Sequence, residues 1–146
     1  MRTRVPGAAA ALIVTATFVL HAGQAAQEKA KPAPPRAPGV MTTASGVYTA
    51  QQAMRGEQTY TNACVSCHPP GFYATPVFRQ KWNGEPLSKL FDFVTEMMPK
   101  NEPGSLQDAE YAQVIAYMLR INGAPAGREP LPASSAALRR IRIEFK

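Results

Sequence analysis

Apolar residues recur at spacings of three and four in three stretches of the chain, and each stretch predicts a helix. From about Tyr48 to Ala63, the small or apolar residues Ala53, Gly56, Tyr60 and Ala63 share one face. Gly56 costs such a helix roughly 1 kcal/mol against alanine, so it needs a reason, such as the close approach of another backbone. A second stripe over 86–97 consists of Leu87, Leu90, Phe91, Val94 and Met97 or Met98, with Pro86 in the first turn and Pro99 as a stop. The clearest stripe is Tyr111, Val114, Ile115, Met118 and Ile121. It predicts a third helix with Ser105 as N-cap, Asp108 and Glu110 in the first turn, and Asn122-Gly123 before Pro125 at the end. Residues 69–84 read as irregular, being interrupted by Pro69, Pro70, Gly71, Pro76 and Gly84. The pattern therefore predicts an all-α domain over residues 46–123.

The flanks have different compositions. Arg2 and Arg4 precede the apolar run "AAAALIVTATFVL" at 8–20, and small residues follow at Gly23, Ala25 and Ala26. That layout predicts a signal peptide over 1–25, and the run is short of the about 20 residues that span a bilayer. After cleavage no integral membrane segment is expected, and the location is the periplasm or beyond. Residues 26–45 include "KAKPAPPRAPG", which reads as a Pro/Ala-rich linker without a core. Residues 124–146 form a basic C-terminal tail in which Ile141, Ile143 and Phe145 alternate with Arg140, Arg142 and Glu144. This predicts an extended strip whose apolar face is expected to pack back on its own domain, with docking of a partner as the alternative. The formal net charge is +6, yet residues 46–123 hold six Lys or Arg against seven Asp or Glu. With its basic excess confined to the flanks, the chain offers no footprint for nucleic acid.

Both cysteines and one of the two histidines fall in "CVSCH", as Cys64, Cys67 and His68. A disulfide between Cys64 and Cys67 would close a tiny loop, constrain the unfolded chain weakly, and leave His68 unexplained. A thioredoxin-type dithiol wants a βαβ context that is missing here. Structural zinc needs four ligands, and this cluster has three. The remaining chemistry is covalent attachment of haem, for which C-x-x-C-H is the signature. On a helical turn, cysteines three apart face the same side, and His68 then meets the iron. One haem c, with its iron, would also supply the apolar mass that three helices of this size lack.

Removing the leader removes His21, so the second iron ligand is not a histidine of this chain. Methionine is the usual partner and raises the potential. Met41 and Met54 precede the motif, and Met118 lies on the buried stripe of the third helix. Met97 and Met98 remain. Met98, immediately before Pro99, is favoured because a ligand must leave the helix, while Met97 then completes the apolar stripe.

With "CVSCH", then "MMP" about 30 residues on, then "PGSLQDAEYAQVIAYMLRINGAP", the chain resembles the class I c-type cytochromes over residues 46–123. The resemblance implies the cytochrome c fold, three main helices around one covalent haem c. It also implies a crossing of the first and last helices at Gly56 and Tyr60 against Val114 and Tyr117. By the same resemblance the Pro76 carbonyl orients the His68 ring, and Arg79, Lys81 and Trp82 approach the haem propionates. Pro69-Pro70 and the short interval from His68 to Met98 depart from the usual pattern. The tail is similar, more weakly, to tails of cytochromes that accompany quinoprotein dehydrogenases.

The function expected is electron transfer by a monomer, between a dehydrogenase donor and an oxidase or cytochrome acceptor. No catalytic residue is needed, because an electron carrier breaks no bonds. Two alternatives stand beside it. One is a haem subunit permanently attached to a quinoprotein dehydrogenase through the tail. The other is a peroxidase or gas-binding protein with an open sixth site, for which the sequence provides no distal acid–base residue.

Overall fold

Helix α1 (Ala50–Ala63) starts where Thr49 Oγ1 accepts the Gln52 N–H at 3.1 Å, satisfying one of the orphan donors of a first turn. Its buried positions are Ala53, Gly56 and Tyr60, the face anticipated from the spacing. This computed structural model describes residues 41–69 and 71–146. The expected signal peptide, 1–25, and residues 26–40 of the expected linker lie outside them.

Helix α2 (Pro76–Trp82) occupies part of the stretch that reads as irregular. The proline that suggested a break sits in the first turn instead, where its missing N–H costs nothing. Thr75 caps the helix by accepting the Phe78 N–H at 3.2 Å. Helix α3 (Leu87–Met97) follows, with Met98 as its C-cap in extended conformation. Helix α4 (Asp108–Ile121) begins two residues later than Ser105 would place it. Gln107 is the cap, and the Glu110 carboxylate reaches back to accept the Gln107 N–H at 2.9 Å. Ser105 instead closes a turn, donating its N–H to the Glu102 carbonyl.

Helices α1 and α4 form the principal packed pair. Gly56 sits against the α4 backbone so closely that a Cβ would collide with the Gln113 carbonyl and lie 2.9 Å from the Val114 nitrogen. One turn on, the Tyr60 and Tyr117 rings lie 5.1 Å apart, and Arg120 pairs with Glu57 at 2.7 Å. The helix-breaking residue is therefore what lets the two axes meet.

Residues 41–45 and 124–146, expected as linker end and tail, are built into the same body. Met41–Thr42 (β1) pairs in parallel with Ile141–Arg142 (β2), in register Met41 with Ile141. Thr43, fully buried, both donates to the Glu144 carbonyl and accepts its N–H, each at 2.9 Å. The Gln52 amide brackets Leu131, donating to its carbonyl at 2.9 Å and accepting its N–H at 2.7 Å. Helix α5 (Ser135–Leu138) lies on α3. Leu131, Leu138, Ile141 and Ile143 are all buried. The alternation seen in the tail is thus spent inward: its apolar side completes a core that three helices cannot close alone. Leu138→Ala should cost about 2–5 kcal/mol of stability, the range for emptying a buried leucine site, measurable as a drop in the urea midpoint. Among the described residues no helix is long and apolar enough to cross a membrane.

Candidate haem-binding site

Cys64 is the C-cap of α1, and the chain continues as a helical turn: the Cys67 and His68 N–H groups both donate to the Cys64 carbonyl, at 3.2 and 2.9 Å. This turn brings Cys64 and Cys67 to one side, as their three-residue spacing requires. Both thiols are free. Tyr60, one turn earlier on the buried face of α1, fastens the motif by donating its hydroxyl to the His68 carbonyl at 2.7 Å. The His68 ring clusters with the Phe72 and Tyr73 rings, 5.3 and 5.2 Å from their centroids, and these two lie 5.1 Å from each other.

These residues open onto a cavity of about 950 Å³, at the upper end of the range for cofactor sites. Cys64, Cys67 and His68 form one part of its wall. Phe78 and Trp82 of α2, Leu90 and Val94 of α3, and Val114 and Met118 of α4 supply apolar surface. Met98 joins the wall from the end of α3. Lys81 stands over the Trp82 and Phe93 rings, 5.0 Å from each centroid.

Burial shapes the acid–base behaviour of the wall. It pushes the Cys64 thiol above its ordinary value, which keeps it neutral near pH 7. It also pushes the Tyr60 hydroxyl up to about 12, with Tyr117 and Cys64 acting in the same direction. Tyr73 is likewise pushed up to about 12, by burial first and then by Tyr60 and Cys64. Since both folded values exceed the ordinary 10, the fold favours the neutral phenol. That contribution is fully present below pH 10 and is lost as the pH rises through about 12. Stability should therefore fall across this window. Tyr60→Phe should make the fall shallower, as read from urea midpoints taken over the same pH range.

Of the residues singled out in the sequence, Cys64, Cys67, His68, Met98, Lys81 and Trp82 come together on the cavity wall. Pro76, Arg79 and Met97 are not part of it. Pro76 opens α2, and no hydrogen bond joins it to His68, whose Nδ1 is buried without a partner. Met97 does not complete the apolar stripe of α3: it is 52% exposed, because the helix turns its last residue outward. Reading residues 69–84 as irregular missed Phe72, Tyr73 and Phe78. The signal was the aromatic density of "GFYATPVF", which has no direction until α2 gives it one. Phe93, Lys100 and Asn101 also line the cavity unanticipated.

The residues present suit a haem. Two free thiols on one helical turn can each form a thioether, and the imidazole has a buried ring nitrogen still unpartnered. Met98, a thioether residue, lines the same mostly apolar wall. Residues 51–118 match the family model described as cytochrome C oxidase, cbb3-type, subunit III. No curated protein and no solved structure matches the chain. The matched stretch runs from α1 into α4 and contains Cys64, Cys67, His68 and Met98. Its helices have the all-α arrangement of the cytochrome c fold, which implies haem c with its iron and electron transfer through it. Over residues 51–118 the match supports a c-type cytochrome domain.

Proposed function

We propose that this protein is an exported, periplasmic carrier of single electrons, with one haem c attached through Cys64 and Cys67 and its iron held by His68 and Met98. It would pass electrons from a dehydrogenase to a terminal oxidase or another cytochrome. The observation that carries the reading is the convergence of both thiols, the imidazole and the Met98 side chain on one apolar cavity.

When bound, haem c supplies an iron that alternates between ferrous and ferric states. The protein's own residues set the conditions for that exchange. Cys64 and Cys67 tether the group, so an exported protein keeps it under dilution. His68 and Met98 would both hold the iron, which would favour electron exchange over substrate binding, and a methionine ligand would raise the potential. Phe78, Trp82, Leu90 and Val94 exclude water and lower the local dielectric around the site. The burial of Leu138, Ile141 and Ile143 in the chain's own core spends most of the tail's apolar side on self-packing, which speaks against the permanently attached subunit. Met98 in the wall speaks against an open sixth site.

Intact mass and a pyridine haemochrome spectrum of the exported protein test the reading. One haem per mature chain, with a near-infrared methionine–iron band in the ferric form, is the expected result. A colourless protein with both thiols alkylatable overturns it.

A further inference from the structure

The redox site is held by groups that do not touch it, and one of them stands out by its place in the fold. Met98 is the last residue anchored to α3: its N–H donates to the Val94 carbonyl at 3.0 Å, while its own carbonyl lies past the end of the helix, where no intrahelical donor is left. The loop 99–107 separates it from α4. Tyr111, in the first turn of α4 and 2% exposed, donates its hydroxyl to that carbonyl at 2.7 Å. Met98 is thereby pinned from both sides, by α3 through its N–H and by α4 through its C=O. Its backbone is held extended, with φ −134° and ψ 148°, where the chain leaves the helix and the side chain meets the cavity.

We infer that Tyr111 is a positioning residue for the sixth iron ligand: through this hydrogen bond it holds the Met98 backbone in place, so that the thioether competes successfully with external ligands. The inference rests on the reading of Met98 as an iron ligand. The rest of the Tyr111 ring is ordinary core, so the hydroxyl alone carries the role. Without it the Met98 carbonyl is left half-buried and unpaired, and the loop is free to draw the sulfur away. A displaced sulfur opens the iron to a competitor. The gain in competitor affinity should match the loss of one buried hydrogen bond, about three- to tenfold.

The test is a titration of the ferric holoprotein with imidazole, followed optically, in three variants. Tyr111→Phe keeps the ring and removes the hydroxyl. Tyr48→Phe is the structural control, since Tyr48 is equally buried and donates to the Ala124 carbonyl at 2.6 Å, in no contact with Met98. Met98→Ala removes the thioether itself. Tyr111→Phe should bind imidazole about three- to tenfold more tightly than wild type. Tyr48→Phe should lose comparable resistance to urea and keep the wild-type imidazole affinity. Met98→Ala should bind imidazole most tightly of all. If Met98→Ala binds tightly while Tyr111→Phe stays at the wild-type affinity, the positioning role is overturned and the ligand assignment stands. The role is also overturned if Tyr48→Phe gains as much affinity as Tyr111→Phe. If Met98→Ala shows the wild-type affinity, the ligand assignment itself fails and the role of Tyr111 falls with it.

Discussion

Gly56→Ala is expected to lower the unfolding free energy by about 3 kcal/mol, the upper end of what overpacking one methyl costs. The magnitude follows from what the methyl meets. Its neighbours would be the carbonyl of Gln113 and the nitrogen of Val114, which are backbone atoms and have no rotamer to move into. Relief requires α1 and α4 to separate along their crossing, which also loosens the Tyr60–Tyr117 contact. Separation reaches the site as well, since Cys64 ends α1 while Val114 and Met118 of α4 line the cavity. The yield of haem-loaded protein should fall together with stability. Alanine at Asn62, an exposed position of the same helix, should change stability by no more than about 0.5 kcal/mol. Urea denaturation of the three proteins measures the difference. Equal midpoints for Gly56→Ala and wild type would mean that the two backbones do not approach as described.

Met98→Ala has the largest expected effect on the redox property itself. Cys64 and Cys67 are untouched, so the variant should retain its haem and its mass. On the proposed ligation, the iron would lose a thioether whose binding raises the potential. The potential should therefore drop by on the order of 0.1 V, a fraction of the about 0.8 V that axial ligands span. The near-infrared methionine–iron band should vanish at the same time. Met97→Ala provides the contrast: Met97 is half exposed and outside the cavity wall, so its loss should leave potential and spectrum unchanged. Spectroelectrochemical titration of both variants decides the assignment. A drop in Met97→Ala with none in Met98→Ala would exchange the two roles.

Cys64, Cys67, His68 and Met98, which line one cavity in the fold, stand out in the sequence alone. "CVSCH" places two thiols and an imidazole within five residues, and few chemistries need that spacing. The choice of Met98 over Met97 also rested on a local rule: a residue before a proline leaves the helix. Gly56 marked the helix crossing, because a glycine that weakens a helix must be compensated by something beyond it. Boundaries were less legible. Pro76 broke a pattern in the sequence and began a helix in the structure, since a proline serves a first turn as readily as it interrupts one. Ser105 and Gln107 are both able to cap α4, and the reach of Glu110 back to the Gln107 N–H selects the second.

The sequence by itself determined the local and near-local features: three amphipathic helices, the turn that holds Cys64, Cys67 and His68, and the methionine released at the end of α3. Each depends on residues a few positions apart, whose geometry is set by backbone periodicity. Only the tertiary structure decided the rest. It paired β1 with β2 and buried Thr43 against Glu144, a contact across 101 positions. It closed the core with Leu138, Ile141 and Ile143, and it brought the Tyr111 hydroxyl to the Met98 carbonyl. Such contacts depend on how separate elements share a limited apolar surface, and no periodicity within one element encodes the partner it will meet.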